Sequence, residues 1–282
     1  MVEPLSMDDF EFVRALVRSQ AGIVIEVHRQ YLVESQLVAL VRREGIDSVQ
    51  SLIARLRAAS GDPMESKVID ALSPDETAFF RDSRHFDLLR KVIIPAAIVA
   101  GRKDRVLNIW CAATATGQEA YSILMLVQEH FPELLEWNFR LLATDLSAES
   151  LQRARTGKYS RIEANRGLPA PLLVKNFMRQ GIEWEISETL RERVDFQRLN
   201  LVCEWGGLPT LDIVLLRHVL THVDAETERE ILTRIGRFMR PGGVLLLGGE
   251  ETLREPTSEF EAVTIEGTLH YRFRAGGPLQ SE

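Results

Sequence analysis

At 282 residues, with 45% hydrophobic and 27% charged side chains, the chain has an ordinary globular composition and enough length for two domains. A formal charge of -7 at pH 7 argues against a broad phosphate-binding face, so nucleic acid is not an expected partner. Only Cys111 and Cys203 occur, outside any metal-ligand spacing, which disfavours a disulfide framework and a structural metal.

The apolar runs fall well short of the about 18 to 20 residues needed to cross a bilayer. The opening MVEPLSMDDFEF has no basic segment followed by an apolar one, so a cytoplasmic protein without membrane insertion is expected, and a monomer. Residues 1–73 predict an all-helical domain of three or four short helices. Phe10, Val13, Leu16 and Val17 form one apolar stripe, and Leu32, Leu37, Leu40 and Val41 another. Stop signals fall at Ala21-Gly22, Glu44-Gly45 and Ser60-Gly-Asp-Pro63.

From Arg105 onward, short β-prone runs alternate with amphipathic ones, which predicts a largely parallel sheet covered by helices. Expected strands lie at Val106 to Cys111, Phe139 to Thr144, Val194 to Leu199, Leu211 to Leu216 and Gly243 to Gly248, with helices over Gln118 to His130 and Ala148 to Arg155. Arg240-Pro-Gly-Gly243 is expected as a tight bend before the last of these strands. Between Gly157 and Arg193 the rhythm breaks around an alternating Ile182-Glu-Trp-Glu-Ile186, and Glu266-Gly267 predicts a hairpin turn.

In such a sheet, ligands bind beyond the carboxyl ends of the strands, where strand order reverses. The first strand runs into Ala112-Ala-Thr-Ala-Thr-Gly117 and a helix beginning Gln118-Glu119. Small residues there let a ligand approach the backbone, while the absence of a Lys-Ser/Thr pair disfavours a polyphosphate. The next strand ends at Asp145, placed to accept from ribose hydroxyls or, alternatively, to cap the following helix. Taken alone, Phe79 and Phe80 are core residues and Arg81 a surface cation.

Seven stretches in order resemble the chemotaxis-receptor methyltransferases, the CheR family. They are Asp75-Glu-Thr-Ala-Phe-Phe-Arg-Asp82, Trp110 to Ser122, Ala143 to Ser147, Arg166-Gly-Leu-Pro169, Leu199-Asn-Leu201, Arg217-His-Val-Leu220 and Pro241-Gly-Gly243. The resemblance implies a small helical N-terminal domain (1–73), a linker with a cofactor-contacting helix (74–104) and a Rossmann-like S-adenosylmethionine-dependent methyltransferase domain (105–282). It also implies a small inserted antiparallel β-subdomain near 158–193. The cofactor is expected against Asp75, Thr77, Arg81, Ala112, Glu119, Asp145, Asn200, Leu201, Arg217 and His218, with Arg81 and His222 nearest the chemistry. The implied reaction is methyl transfer to glutamate side chains in the cytoplasmic helical region of chemoreceptors, leaving S-adenosylhomocysteine.

Four positions depart from the family's usual pattern. Asp75 and His218 stand where Asn is usual, His222 where Tyr is usual, and Gln36 where Arg is usual. Residues 1–73 carry 8 Lys and Arg against 11 Asp and Glu, a poor match to an acidic receptor surface, although Arg29, Arg42 and Arg43 offer a local basic patch. Two other readings are a relative that binds the cofactor and acts through a signalling partner, and a methyltransferase acting on a small molecule.

Overall fold

The computed structural model describes residues 4–74, 76–255 and 257–274, so the expectation placed on Asp75 lies outside the described residues. Four helices open the chain: α1 (Met7–Ala21), α2 (Gln30–Glu44), α3 (Val49–Ala58) and α4 (Pro63–Leu72). Their ends obey local chemistry. Ser6, Ser48 and Asp62 cap α1, α3 and α4 by accepting first-turn N–H groups, and Gly22 and Gly45 end α1 and α2 in the left-handed conformation. Phe10, Val13, Val17, Leu37, Leu40, Leu52, Ile53 and Val68 form their common core.

A second helical stretch comprises α5 (Ser83–Leu88), a π turn (Leu89–Ile93) and α6 (Ile94–Gly101). Pro95 lies within it and has no N–H to donate, which accounts for the local irregularity. Then follow β1 (Val106–Ala112), α7 (Gln118–His130), β2 (Asn138–Asp145) and α8 (Ala148–Thr156). After an inserted segment come β6 (Val194–Arg198), β7 (Leu211–Leu216), α12 (Ala225–Phe238), β8 (Met239–Leu246), β9 (Phe260–Ile265) and β10 (Thr268–Phe273).

These strands form a seven-stranded sheet of order β6-β2-β1-β7-β8-β10-β9, with β9 and the antiparallel β10 at one edge. Side chains alternate across it. Leu107, Ile109 and Cys111 face the α7 side, whereas Trp110, Ala112, Val214 and Leu216 face the α12 side. Strand order reverses between β1 and β7, so their carboxyl ends open a crevice. The hairpin turn is as expected, with Glu266 and Gly267 at φ 49° and 75°, the pair of left-handed residues a type I′ turn requires.

The bend expected at Arg240 to Gly243 is present, but as a bulge with one strand residue ahead of it. It lies inside β8, where Leu211 pairs Met239 but Ile213 already pairs Val244. A bulge absorbs the extra residues, because Gly243 packs too closely on the Arg240 carbonyl for a side chain; a Cβ there would sit 2.9 Å from it.

The inserted segment holds a separate antiparallel sheet of β3 (Lys158–Ser160), β5 (Glu183–Ile186) and β4 (Phe177–Gln180). Short helices α9 (Arg161–Asn165), α10 (Ala170–Asn176) and α11 (Glu188–Arg191) surround it. Tyr159 and Phe177 stack edge-on against Phe79, 5.1 and 5.6 Å between ring centroids, which roots the insert beside the Thr77–Arg81 loop. No helix among the described residues is long and apolar enough to cross a membrane.

Candidate active site

The crevice is walled by four chain segments. Ala113, Thr114 and Ala115 come from the loop after β1, Asp145 and Leu146 from the end of β2, Leu199 to Leu201 from beyond β6, and His218, Val219, His222 and Val223 from beyond β7. Ala21, Ile23, Ser73 and Pro74 close one side, so the helical segment builds part of the pocket. The other end is lined by Thr77, Arg81, Glu119 and Arg217.

The loop after β1 is held tightly. Ala113 and Ala115 adopt φ 58° and 49°, and Gly117 adopts φ 92° where a Cβ would lie 2.9 Å from that of Ala154 and 3.3 Å from the Phe196 ring. Asp145 braces this loop, its Oδ2 accepting from the Ala115 N–H at 2.7 Å and its Oδ1 from the Ser147 N–H at 2.9 Å. Tyr159 ties the loop to the insert, donating from its hydroxyl to the Thr116 carbonyl at 2.8 Å.

At the other end stands a buried ion cluster. The Arg217 guanidinium, 6% exposed, donates to Glu119 Oε2 at 2.6 Å, to Asp82 Oδ2 at 2.8 Å and to the Arg81 carbonyl at 2.5 Å, and it lies over the Phe86 ring. Burial opposes its charge, yet Glu119 and Asp82 together raise its pKa. Burial alone would raise the Asp82 carboxyl, but the hydrogen bonds and charge of Arg217 and the bond from His218 hold it at about 2. His218 Nε2 meets the same Asp82 oxygen at 2.9 Å.

His222 lines the apolar end, and its pKa is lowered by burial first and by the positive charge of Arg29 second, against the pull of Glu251. His85 is lowered in the same way by burial and Arg217. Both are held below 6.5, so between their folded and unfolded pKa values the unfolded chain binds more protons. Stability is then fully present above about pH 6.5 and is lost as pH falls below it. The melting temperature is expected to drop between pH 7.5 and 5.5, and by less in His222→Tyr; an identical drop in both proteins would refute this.

Most residues expected from the sequence converge here. Thr77, Arg81, Glu119, Asp145, Asn200, Leu201, Arg217, His218 and His222 all line the crevice, with Arg81 and His222 toward opposite ends. Ala112 does not: its side chain is 1% exposed in the core, and Ala113 lines the crevice in its place. Asn200 is also occupied structurally, donating to the Gln20 carbonyl at 2.7 Å and accepting from the Val202 N–H. Gln36 lies on α2, away from the crevice lining. Sequence reasoning missed Asp82, Ile23 and Pro74, whose roles depend on partners far along the chain.

The lining suits an adenosine with an amino-acid tail. Leu146, Leu199, Leu201 and Ile231 offer an apolar lining, Asp145 a carboxylate, and Thr114 a buried hydroxyl, 2% exposed, with no protein partner.

Residues 8–73 match the CheR methyltransferase all-alpha domain, and residues 75–268 match the CheR methyltransferase SAM binding domain. The chain belongs to the CheR family. It is 35% identical over 269 residues to chemotaxis protein methyltransferase 1 of Pseudomonas aeruginosa, covering 94% of this chain and 97% of that one. It is 34% identical to chemotaxis protein methyltransferase Cher2 of Pseudomonas putida, with coverage of 94% and 97%. To a chemotaxis protein methyltransferase of Vibrio parahaemolyticus it is 31% identical, with coverage of 96% and 98%. As a CheR member the protein is a methyltransferase, its cofactor is S-adenosylmethionine, and it acts in chemotaxis.

Proposed function

We propose that the chain methylates glutamate side chains in the cytoplasmic helical region of a chemotaxis receptor, giving glutamate methyl esters. The observation that supports this most is how the charges of the crevice are committed. Glu119 and Asp82 are bound to Arg217, Asp145 braces backbone N–H groups, and His218 is tied to Asp82. Burial and the nearby Arg29 favour the neutral form of His222. This inventory suits an acceptor that needs no proton removed, and a glutamate, with a pKa near 4.3, is already an anion at neutral pH.

When bound, S-adenosylmethionine supplies a methyl group on a sulfonium, taken by a carboxylate oxygen while the C–S electron pair stays on sulfur. The chain's own residues bind and align. Leu199, Leu201 and Ile231 would pack the adenine, Asp145 would hold the ribose, and the Glu119–Arg217 pair and Thr114 would meet the amino-acid end. Arg81, partly exposed and donating to the Glu76 carbonyl at 2.5 Å, has guanidinium N–H groups left to orient the incoming carboxylate. Burying the reacting atoms among these side chains excludes water.

Incubation with labelled S-adenosylmethionine and receptor-rich membranes is expected to give base-labile methyl esters. Bound cofactor with no label on any receptor preparation would count against the reading and leave a relative that signals through a partner. Within the active reading, protonation of His222 adds a positive charge to the crevice that binds a sulfonium, so activity falls on acidification below the ordinary histidine range. His222→Tyr is expected to flatten that acid limb, since a phenol stays neutral until about pH 10. Superimposable pH profiles would remove His222 from the chemistry.

A further inference from the structure

The wall formed by His218, Val219, His222 and Val223 is a turn following β7, with one 3-10 stretch at Leu220–His222. Such a turn leaves backbone donors and acceptors that must find partners elsewhere. Four of them, two N–H groups and two carbonyls, are met by a single loop, that following β8. The Glu251 carboxylate, 7% exposed, accepts from the N–H of His218 at 2.5 Å, of Gly248 at 2.8 Å and of Thr221 at 3.3 Å. Three residues on, Arg254 donates to the carbonyls of Val223 at 2.6 Å and Leu220 at 3.0 Å. The His222 carbonyl accepts from the Val24 N–H at 2.7 Å, across from the helical segment. An acid thus grips the donors of the turn and a guanidinium its acceptors.

The grip also fixes side chains. His218 sits at φ 59°, a left-handed conformation that a non-glycine residue keeps only where its surroundings enforce it. Its imidazole rests on Gly248, where a Cβ would lie 2.8 Å from both Cε1 and Nδ1. The neighbouring Gly249 N–H donates to Asp82 Oδ2 at 3.1 Å, the oxygen that meets His218. Neither Glu251 nor Arg254 lines the crevice.

We propose that Glu251 and Arg254 are positioning residues for cofactor binding and methyl transfer. Acting through the backbone of residues 218–223, they set where His218 and His222 stand in the crevice. The proposal rests on the crevice being the S-adenosylmethionine site. The full chain is compared with Glu251→Ala, Glu251→Gln and Arg254→Met by two measurements: the imidazole NMR signals of the histidines without ligand, and S-adenosylhomocysteine affinity by calorimetry.

In Glu251→Ala the His218 and His222 signals are expected to move while those of the exposed His28 and His130 stay, and Kd to rise on the order of tenfold. Glu251→Gln keeps an acceptor oxygen and is expected to recover most of that loss, which a general loss of stability would not predict. Arg254→Met is expected to fall between the two. Unmoved His218 and His222 signals together with an unchanged Kd, in Glu251→Ala or, if that variant does not fold, in Arg254→Met, would overturn the proposal. A wild-type protein that binds no S-adenosylhomocysteine would defeat the cofactor-site reading instead, and the histidine signals, taken without ligand, would still decide the clamp.

Discussion

Asp145→Ala is expected to weaken S-adenosylhomocysteine binding by about 100-fold or more. The carboxylate has two tasks at one point in space: it braces the Ala115 N–H, holding the loop in its left-handed turns, and it faces the pocket where the ribose would lie. Hydrogen bonds to a charged group are each worth about 1.5 to 3 kcal/mol, and about 2.7 kcal/mol corresponds to a 100-fold change in affinity. Asp145→Asn retains one acceptor oxygen and is expected to lose less, about tenfold. Calorimetry decides it, with circular dichroism to show that the sheet persists. Wild-type affinity in the alanine variant would mean that the cofactor lies elsewhere.

Arg217→Met is expected to cost stability rather than affinity alone. The guanidinium stands between Glu119 and Asp82 in a residue 6% exposed, and its removal leaves the buried Glu119 without its counter-ion and Asp82 with only His218 and the Gly249 N–H. Breaking a buried pair in this way typically costs about 3 to 5 kcal/mol. The pH dependence identifies the cause. In the wild type the low Asp82 pKa, about 2, gives stability that is present above the ordinary carboxyl range and lost as pH falls toward 2. Burial already raises the Glu119 pKa in the wild type against the pull of Arg217, and without that cation it is expected to rise further, so the variant loses more stability as pH rises through the carboxyl range. The stability gap measured by urea unfolding should therefore be widest near pH 7 and narrow toward pH 4. A gap independent of pH would assign the loss to packing instead.

Much of this architecture is legible in the chain itself, and the reason is local. β1, β2 and β7 are short apolar runs bounded by turn residues, and the helical caps at Ser6, Ser48 and Asp62 are written in single side chains. The family motifs also placed Arg217, Glu119 and Asp145 around one crevice, as the structure finds them. What could not be read depends on long-range pairing. Arg217 meets Glu119 from 98 positions away and Asp82 from 135, and no periodicity encodes such partners. The bend read from Pro-Gly-Gly is there, since Arg240 to Gly243 stand out of register before Val244, and only the pairing of Met239 with Leu211 shows that β8 begins ahead of it. Ala112 and Ala113 show the limit of one-residue precision: at a strand ending the first points its side chain into the core and the second into the crevice.

The backbone bond between Val24 and His222 joins the helical segment to the cofactor wall, next to the pairing of Ile23 with Val223. Ala21, Ile23, Ser73 and Pro74 belong to the same pocket. The helical segment therefore cannot be exchanged as a separate module: a chimera carrying another relative's N-terminal segment would inherit that relative's share of the crevice wall.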